Sequence, residues 1–240
     1  MSDHTNREDF LNAIAEKAGR PRHQLKDHPF EPLNDLPETT LSGHSQDELE
    51  TIAKKNSEGV HVTFKTTTKA DLAAALNAYI EQDAPKTMIL PTTDKYVDFG
   101  LTEWTNTFSP KPMYWTPGKG RDFNLKQAAA ADVAIGFADY LLAESGTITV
   151  ATTPGQGRGF HFLPTHYLAI VKKSNILPRS RQAMDHYDAD IKAGKLQTSN
   201  INFITGPSNS GDIEMTLVVG VHGPLDMTYL VVEDMEPKRG

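Results

Sequence analysis

From residue 60 onward, short apolar and β-branched runs alternate with segments whose apolar residues recur every three or four positions, and that alternation limits the fold to one class. Residues 60–64 alternate apolar and polar as a strand does. Thr68 stands where it can cap a helix over 69–82, with Leu72, Leu76, Tyr79 and Ile80 as its buried stripe. Met88-Ile89-Leu90 and residues 112–115 read as short strands, 122–131 as an Ala-rich helix, and 132–136 as a strand. Residues 146–151 are β-branched, and 167–171 repeat the strand pattern. Pro178 sits where a helix begins, its apolar face carried by Ala183, Met184, Tyr187 and Ile191, and Gly194 stops it. Residues 201–204 and 227–232 close the chain as strands. Strand and helix in turn predict an α/β sheet covered on both faces. No internal repeat and no low-complexity tract interrupts it.

The stretch before residue 60 differs. Phe10, Leu11, Ile14 and Ala18 give residues 6–18 a helical period. Pro21, Pro29, Pro32 and Pro37 make residues 19–43 an extended connector. Ser45 followed by Glu48 forms a capping box opening a helix to about residue 56. Residues 1–58 therefore read as an N-terminal helical arm and 59–240 as the main α/β domain. The arm is either a loose tail or a clamp on a second copy of the chain.

Composition removes several function classes. Lys and Arg total 24 against 31 Asp and Glu, a net charge of -7, which argues against a nucleic-acid footprint. No eighteen-residue apolar window predicts a membrane span, and the polar first twenty residues lack the apolar core of a signal peptide, so the cytoplasm is the expected compartment. There is no cysteine, which rules out protein-held iron–sulfur clusters, zinc–thiolate sites and thiol nucleophiles. Redox chemistry would need a bound organic cofactor or a partner chain. The nine histidines show no HExxH spacing, and Pro164 separates His161 from His166, so no metal site is expected.

Between residues 205 and 224, glycine, proline, carboxylate and histidine crowd around an apolar run, as in shaped ligand loops. Ligands of open α/β sheets bind beyond the carboxyl ends of the strands. Three loops are candidates for that edge: 205–212, 220–224 and 143–147. Glu144 leaves an apolar segment, where partial desolvation suits general acid/base work; a structural glutamate tying loops together fits equally. Asp212 and Glu214 share a face if extended, and Asp212 after Gly211 also suits a helix N-cap. His222 between Val221 and Gly223-Pro224 is either a base or anion contact or simply a turn residue. Arg158, in the glycine-rich run 153–160, is either a clamp on a carboxylate or phosphate or a solvated charge. His166 is placed to point into the same cleft. Trp104, Tyr114 and Trp115 line a site or fill the core.

Taken together, Ala143-Glu144-Ser145-Gly146-Thr147, Leu163-Pro164 with His166, Thr205-Gly206-Pro207-Ser208 with Asp212-Ile213-Glu214, and Gly220-Val221-His222-Gly223-Pro224 resemble the LUD family. The resemblance covers roughly residues 60–235. The family usually carries Arg-Thr-Ala between the serine and the aspartate, where this chain has Asn209-Ser210-Gly211. If that arginine contacts an anion in relatives, the contact is absent here or moved to Arg158.

The resemblance implies a three-layer α/β sandwich with a Rossmann-like sheet, similar to the 5-formyltetrahydrofolate cyclo-ligase and CoA-transferase group. It implies a part in cytoplasmic oxidation of L-lactate to pyruvate, allowing lactate to serve as carbon source, beside partner proteins that carry iron–sulfur clusters. It brings no settled active site. On this reading Glu144 and His222 are the candidate catalytic groups. Thr147, Arg158, His166, Gly206, Pro207, Ser208, Asp212, Glu214 and Gly223 are the candidate contacts of a small anionic ligand. The alternatives are a stand-alone CoA-transferase-like enzyme with Glu144 as nucleophile and a non-catalytic interaction subunit. The site readings share one spatial expectation: positions 144, 206 and 222 converge at one rim of the sheet.

Overall fold

The structure is a computed structural model and describes residues 3–22, 26, 31–109, 111–213, 216–220 and 222–235. The chain divides into two compact units, Met1–Leu36 and Pro37–Gly240. The first holds α1 (Asp3–Lys17), against which the Arg22 guanidinium returns to pair with Glu8.

The division lies well before residue 58, because the next elements belong to the second unit. A short helix, α2 (Leu36–Thr39), stands where an extended connector was expected. Gln182 donates to the Glu38 carbonyl at 3.2 Å, and Arg181 pairs with the Glu38 carboxylate at 3.1 Å. Helix α3 (Gln46–Gly59) opens on the predicted capping box: the Ser45 N–H donates to Glu48 at 2.7 Å while the Ser45 hydroxyl accepts from the Glu48 N–H at 3.4 Å. Its Leu49 and Ala53 enter the same core as Val62 and Phe64. That burial makes α3 part of the main body rather than an arm.

The chain then builds β1 (Val62–Thr68), α4 (Leu72–Asp83), β2 (Met88–Pro91), α5 (Lys95–Asp98), β3 (Met113–Trp115), α6 (Arg121–Ala129) and β4 (Val133–Phe137). A hairpin follows, β5 (Tyr140–Leu142) and β6 (Thr147–Ala151), then α7 (Gly159–Phe162), β7 (His166–Lys172), β8 (Ile176–Leu177) and α8 (Ser180–Lys192). The last strands are β9 (Ile201–Ile204), β10 (Asn209–Ile213), β11 (Thr216–Val219) and β12 (Asp226–Glu233). Thr68 caps no helix directly; its hydroxyl accepts from the Asp71 N–H at 3.2 Å, and α4 starts one residue later.

Six strands form a parallel sheet in the order β1-β12-β7-β4-β2-β3. Burial follows position. Central β7 and β12 are apolar on both faces, whereas edge strand β1 alternates buried and exposed over its first four residues. On one face Leu168, Ile170, Leu230 and Val232 meet Leu72, Leu76 and Tyr79 of α4. On the other, Tyr167, Ala169, Val171, Tyr229 and Val231 meet α3, α6 and a second sheet, ordered β8-β5-β6-β9. Helix α8 covers that second sheet through Ala183 and Tyr187. Met184 and Ile191, expected in the same stripe, are 43% and 45% exposed, so the buried stripe is narrower than the sequence suggested. The fold is mixed α/β with a parallel central sheet and helices on both sides. The second sheet, and the separate hairpin of β10 and β11, were not read from the sequence.

Candidate functional site

The loops 205–208 and 220–225 flank the hairpin of β10 and β11, and hydrogen bonds hold them together. The Ser208 N–H donates to the Pro224 carbonyl at 3.0 Å, the Gly220 N–H to the Ser208 carbonyl at 2.8 Å, and the His222 N–H to the Ser208 hydroxyl at 3.3 Å. Positive φ of +70° and +82° at Gly206 and Gly220 makes the two turns. At Gly206 no side chain would fit, because a Cβ would lie 2.2 Å from the Val60 carbonyl oxygen. Tyr229 reaches the same turn from the parallel sheet, its hydroxyl donating to the Ile204 carbonyl at 3.2 Å.

A depression of about 250 Å³ opens between these loops, lined by Thr205, Gly206, Ser208, Asn209, His222 and Gly223 together with His161 and Phe162. His161 is the residue the sequence reading passed over. It is fully buried, its Nδ1 lies 2.9 Å from the Tyr167 hydroxyl, and its Nε2 has no partner. Burial pushes this imidazole down to about 3, a shift that Lys95 reinforces and Asp139 opposes, so it is neutral at physiological pH. The signal available in the sequence was a histidine flanked by Phe160 and Phe162, where an apolar setting disfavours the charged form.

His222 and Phe162 also line a larger cleft of about 1000 Å³, whose walls are residues 115–121 and 152–159. Arg158 and Trp115 belong to this cleft. Gly157 packs against the Trp115 indole, where a Cβ would come within 2.2 Å of the ring. Trp104 serves the core instead, donating to Asn77 at 2.9 Å.

Glu144 lies in the β5–β6 turn, and its carboxylate takes an ion pair from Arg179 at 2.9 Å. It lines neither depression. The turn is locked by Asn56, whose side-chain NH₂ donates to the carbonyls of Ala143 and Glu144 at 2.8 and 3.0 Å. Gly146, at φ +64°, makes room for α3; a Cβ there would sit 2.5 Å from the Ser57 nitrogen. What links this turn to the site is hydroxyl, not carboxylate: Ser145 donates to Thr147 at 2.8 Å, and Thr147 meets Thr205 at 2.8 Å. Glu144 and His222 therefore line no common depression, and the Glu144 carboxylate is engaged by Arg179.

The remaining expectations divide. Pro207 is buried and lines neither depression. His166 starts β7 opposite Asp226, with Nδ1 and Oδ2 2.5 Å apart, at the amino edge of the parallel sheet, and it lines neither depression. Residue 212 lies inside β10, which excludes a helix N-cap; its side chain, like Glu214, is outside the described residues.

None of the three candidate loops sits beyond the carboxyl ends of the parallel strands. β9 and β6 belong to the second sheet, and 220–224 enters β12 at its amino end. The carboxyl edge instead carries Lys95 and Asp139, 2.6 Å apart, in a depression of about 420 Å³. Asp139 also accepts from the Ala151 N–H at 2.7 Å and the Tyr187 hydroxyl at 3.0 Å, so it clasps the two sheets together. Among the described residues no three histidine, aspartate or glutamate side chains gather as a metal site, and no helix is long and apolar enough to cross a membrane.

The family model of the LUD domain matches residues 49–232, a span that contains both motif loops, the 143–147 turn and all of the parallel sheet but the last residue of β12. This chain belongs to the LUD domain family. Within that family it is 41% identical over 235 residues to "Lactate utilization protein C" of Geobacillus kaustophilus (strain HTA426), an alignment covering 95% of this chain and 97% of the relative. It is 38% identical over 234 residues to the protein of the same name from Bacillus subtilis (strain 168), with 95% and 97% covered. A solved structure, a DUF162 family protein from Deinococcus radiodurans, superposes with a TM-score of 0.55 at 17% identity, covering 79% of this chain and 99% of that one. At that identity the likeness speaks for the shared LUD fold alone.

Proposed function

We propose that this chain works in lactate utilisation and binds a three-carbon acid of the lactate–pyruvate type in the depression at His222. The observation that carries the reading is near end-to-end similarity, at 41% identity, to a relative named for lactate utilisation. The geometry agrees in scale. Lactate has six non-hydrogen atoms; at about 30 Å³ each, the share of a water molecule, it takes up less than about 180 Å³. The depression offers about 250 Å³. The hydroxyls of Thr205 and Ser208 and the His222 imidazole supply donors for a carboxylate and a carbonyl or hydroxyl oxygen.

Oxidising lactate to pyruvate removes two electrons and two protons. With no cysteine in its 240 residues, this chain holds no thiolate-ligated cluster to receive them. The acceptor in this proposal is a partner protein carrying iron–sulfur clusters, in a cytoplasmic system of which this chain is one component. In this proposal His222, which lines the depression, exchanges a proton with the acid.

The test is genetic. Deleting the chain should abolish growth on L-lactate and spare growth on glucose. Wild type should restore growth, and His222→Ala and Ser208→Ala, checked for folding by circular dichroism, should not. Normal growth of the deletion strain on lactate would remove the proposal.

A further inference from the structure

We infer that the larger cleft on the far side of His222 binds a nucleotide-class molecule, a planar ring system carrying phosphate. Size comes first. At about 1000 Å³ the cleft is roughly five times what a three-carbon acid takes up, using about 30 Å³ per non-hydrogen atom. It falls at the upper end of the range for cofactor and drug-sized sites, roughly 300–1,000 Å³.

The lining has two chemical halves. Trp115, Leu125, Phe162 and Leu163 make up its apolar part, and Leu163 is 42% exposed. The Gly157 backbone lies against the Trp115 ring, and the Thr92 hydroxyl donates to the Trp115 backbone carbonyl at 2.8 Å. The same lining carries two arginines, Arg121 and Arg158. Among the described residues Arg158 makes no ion pair. Arg121 has only its neighbour Asp122 at 3.8 Å, with both side chains in solvent. Two guanidinium groups without a fixed carboxylate suit phosphate oxygens, which arginine meets bidentately. A free inorganic anion would leave the apolar wall unused, and an uncharged ring would leave the arginines unused. A nucleotide uses both. The assignment rests on the lactate reading only in that the two compartments share His222 and Phe162.

Isothermal titration calorimetry of the purified full chain with ADP and with FMN tests this. Adenosine, riboflavin and inorganic phosphate serve as the separated halves. Saturable binding of ADP or FMN is expected. It should weaken at least about tenfold in the Arg121→Ala/Arg158→Ala double variant, and by as much when the phosphate is missing from the probe. The Trp104→Phe variant leaves Trp115 as the chain's remaining tryptophan, so its fluorescence should change on binding. Both arginines are at the surface, so the double variant should melt with the wild type.

Three results would overturn the assignment: no saturable binding of either probe up to about 1 mM, unchanged affinity in the double variant, or inorganic phosphate binding as tightly as the nucleotide. Calorimetry needs no lactate, and the growth test needs no nucleotide, so failure of one proposal is not mistaken for failure of the other.

Discussion

Gly146 and Gly206 are packing residues. Each has positive φ, and each leaves room for backbone: Ser57 nitrogen at 2.5 Å from a Cβ at 146, Val60 oxygen at 2.2 Å from one at 206. Alanine at either position combines backbone strain with overpacking, each worth about 1–3 kcal/mol, so a loss on the order of 2–6 kcal/mol is expected. Thermal unfolding should show a drop of roughly 5–20 °C in Tm. Glu144→Gln, which removes one side of a partly exposed ion pair, should stay within about 1 kcal/mol of wild type. A Gly206→Ala variant melting with the wild type would show that the turn is not held against Val60 as described. His161 yields a second prediction. Its folded value of about 3 lies below the ordinary 6.5, so the unfolded chain takes up a proton first as pH falls. Its contribution is intact above about 6.5 and is lost between there and about 3, by up to about 1.4 kcal/mol per pH unit. Urea unfolding should therefore show that wild type loses about 2 kcal/mol more than His161→Gln between pH 7 and pH 5. Parallel pH profiles for the two proteins would contradict a neutral buried imidazole.

At the level of elements, Lys173 is the pin between α3 and the carboxyl end of β12. Its ammonium lies 2.6 Å from Asp47, 3.0 Å from Glu50 and 2.7 Å from Glu233. Burial works against that charge, but the hydrogen bonds it donates to Asp47, Glu233 and Glu50 outweigh it and hold the group well above its usual range. Lys173→Met leaves three carboxylates facing one another and should cost about 2–4 kcal/mol in chemical denaturation. A change under about half a kcal/mol would mean that solvent already screens the cluster. The helices and the parallel strands were legible in the sequence because each carries its own period: the Ser45–Glu48 box, the Leu72–Leu76–Tyr79 stripe, the apolar run of β7. The second sheet was not, because β5 and β8 are three and two residues long, too short to show a period, and their pairing is decided by tertiary contact. The same limit applies to the site. Adjacent loops tied through Ser208 could be anticipated from the clustering of Gly, Pro and His, whereas the Arg179 that takes Glu144 lies far along the chain with no local pattern to announce it.

The whole molecule is two units whose three buried clusters, among the described residues, draw only on residues from Leu41 onward. The apolar area that drives folding of Pro37–Gly240 is thus contained in that unit, down to the α2 segment that docks on α8. Deleting residues 1–36 should leave a cooperatively folding protein whose Tm stays within about 5 °C of the full chain, since a domain with its own core can fold alone. The arm itself is a helix that shows Phe10 65% exposed and Ile14 45% exposed. If it clamps a second copy of the chain, light scattering should give a dimer for the full chain and a monomer for the truncation. A truncated protein that unfolds without a cooperative transition would mean that the first 36 residues supply core to the second unit, and the boundary at Pro37 would have to be redrawn.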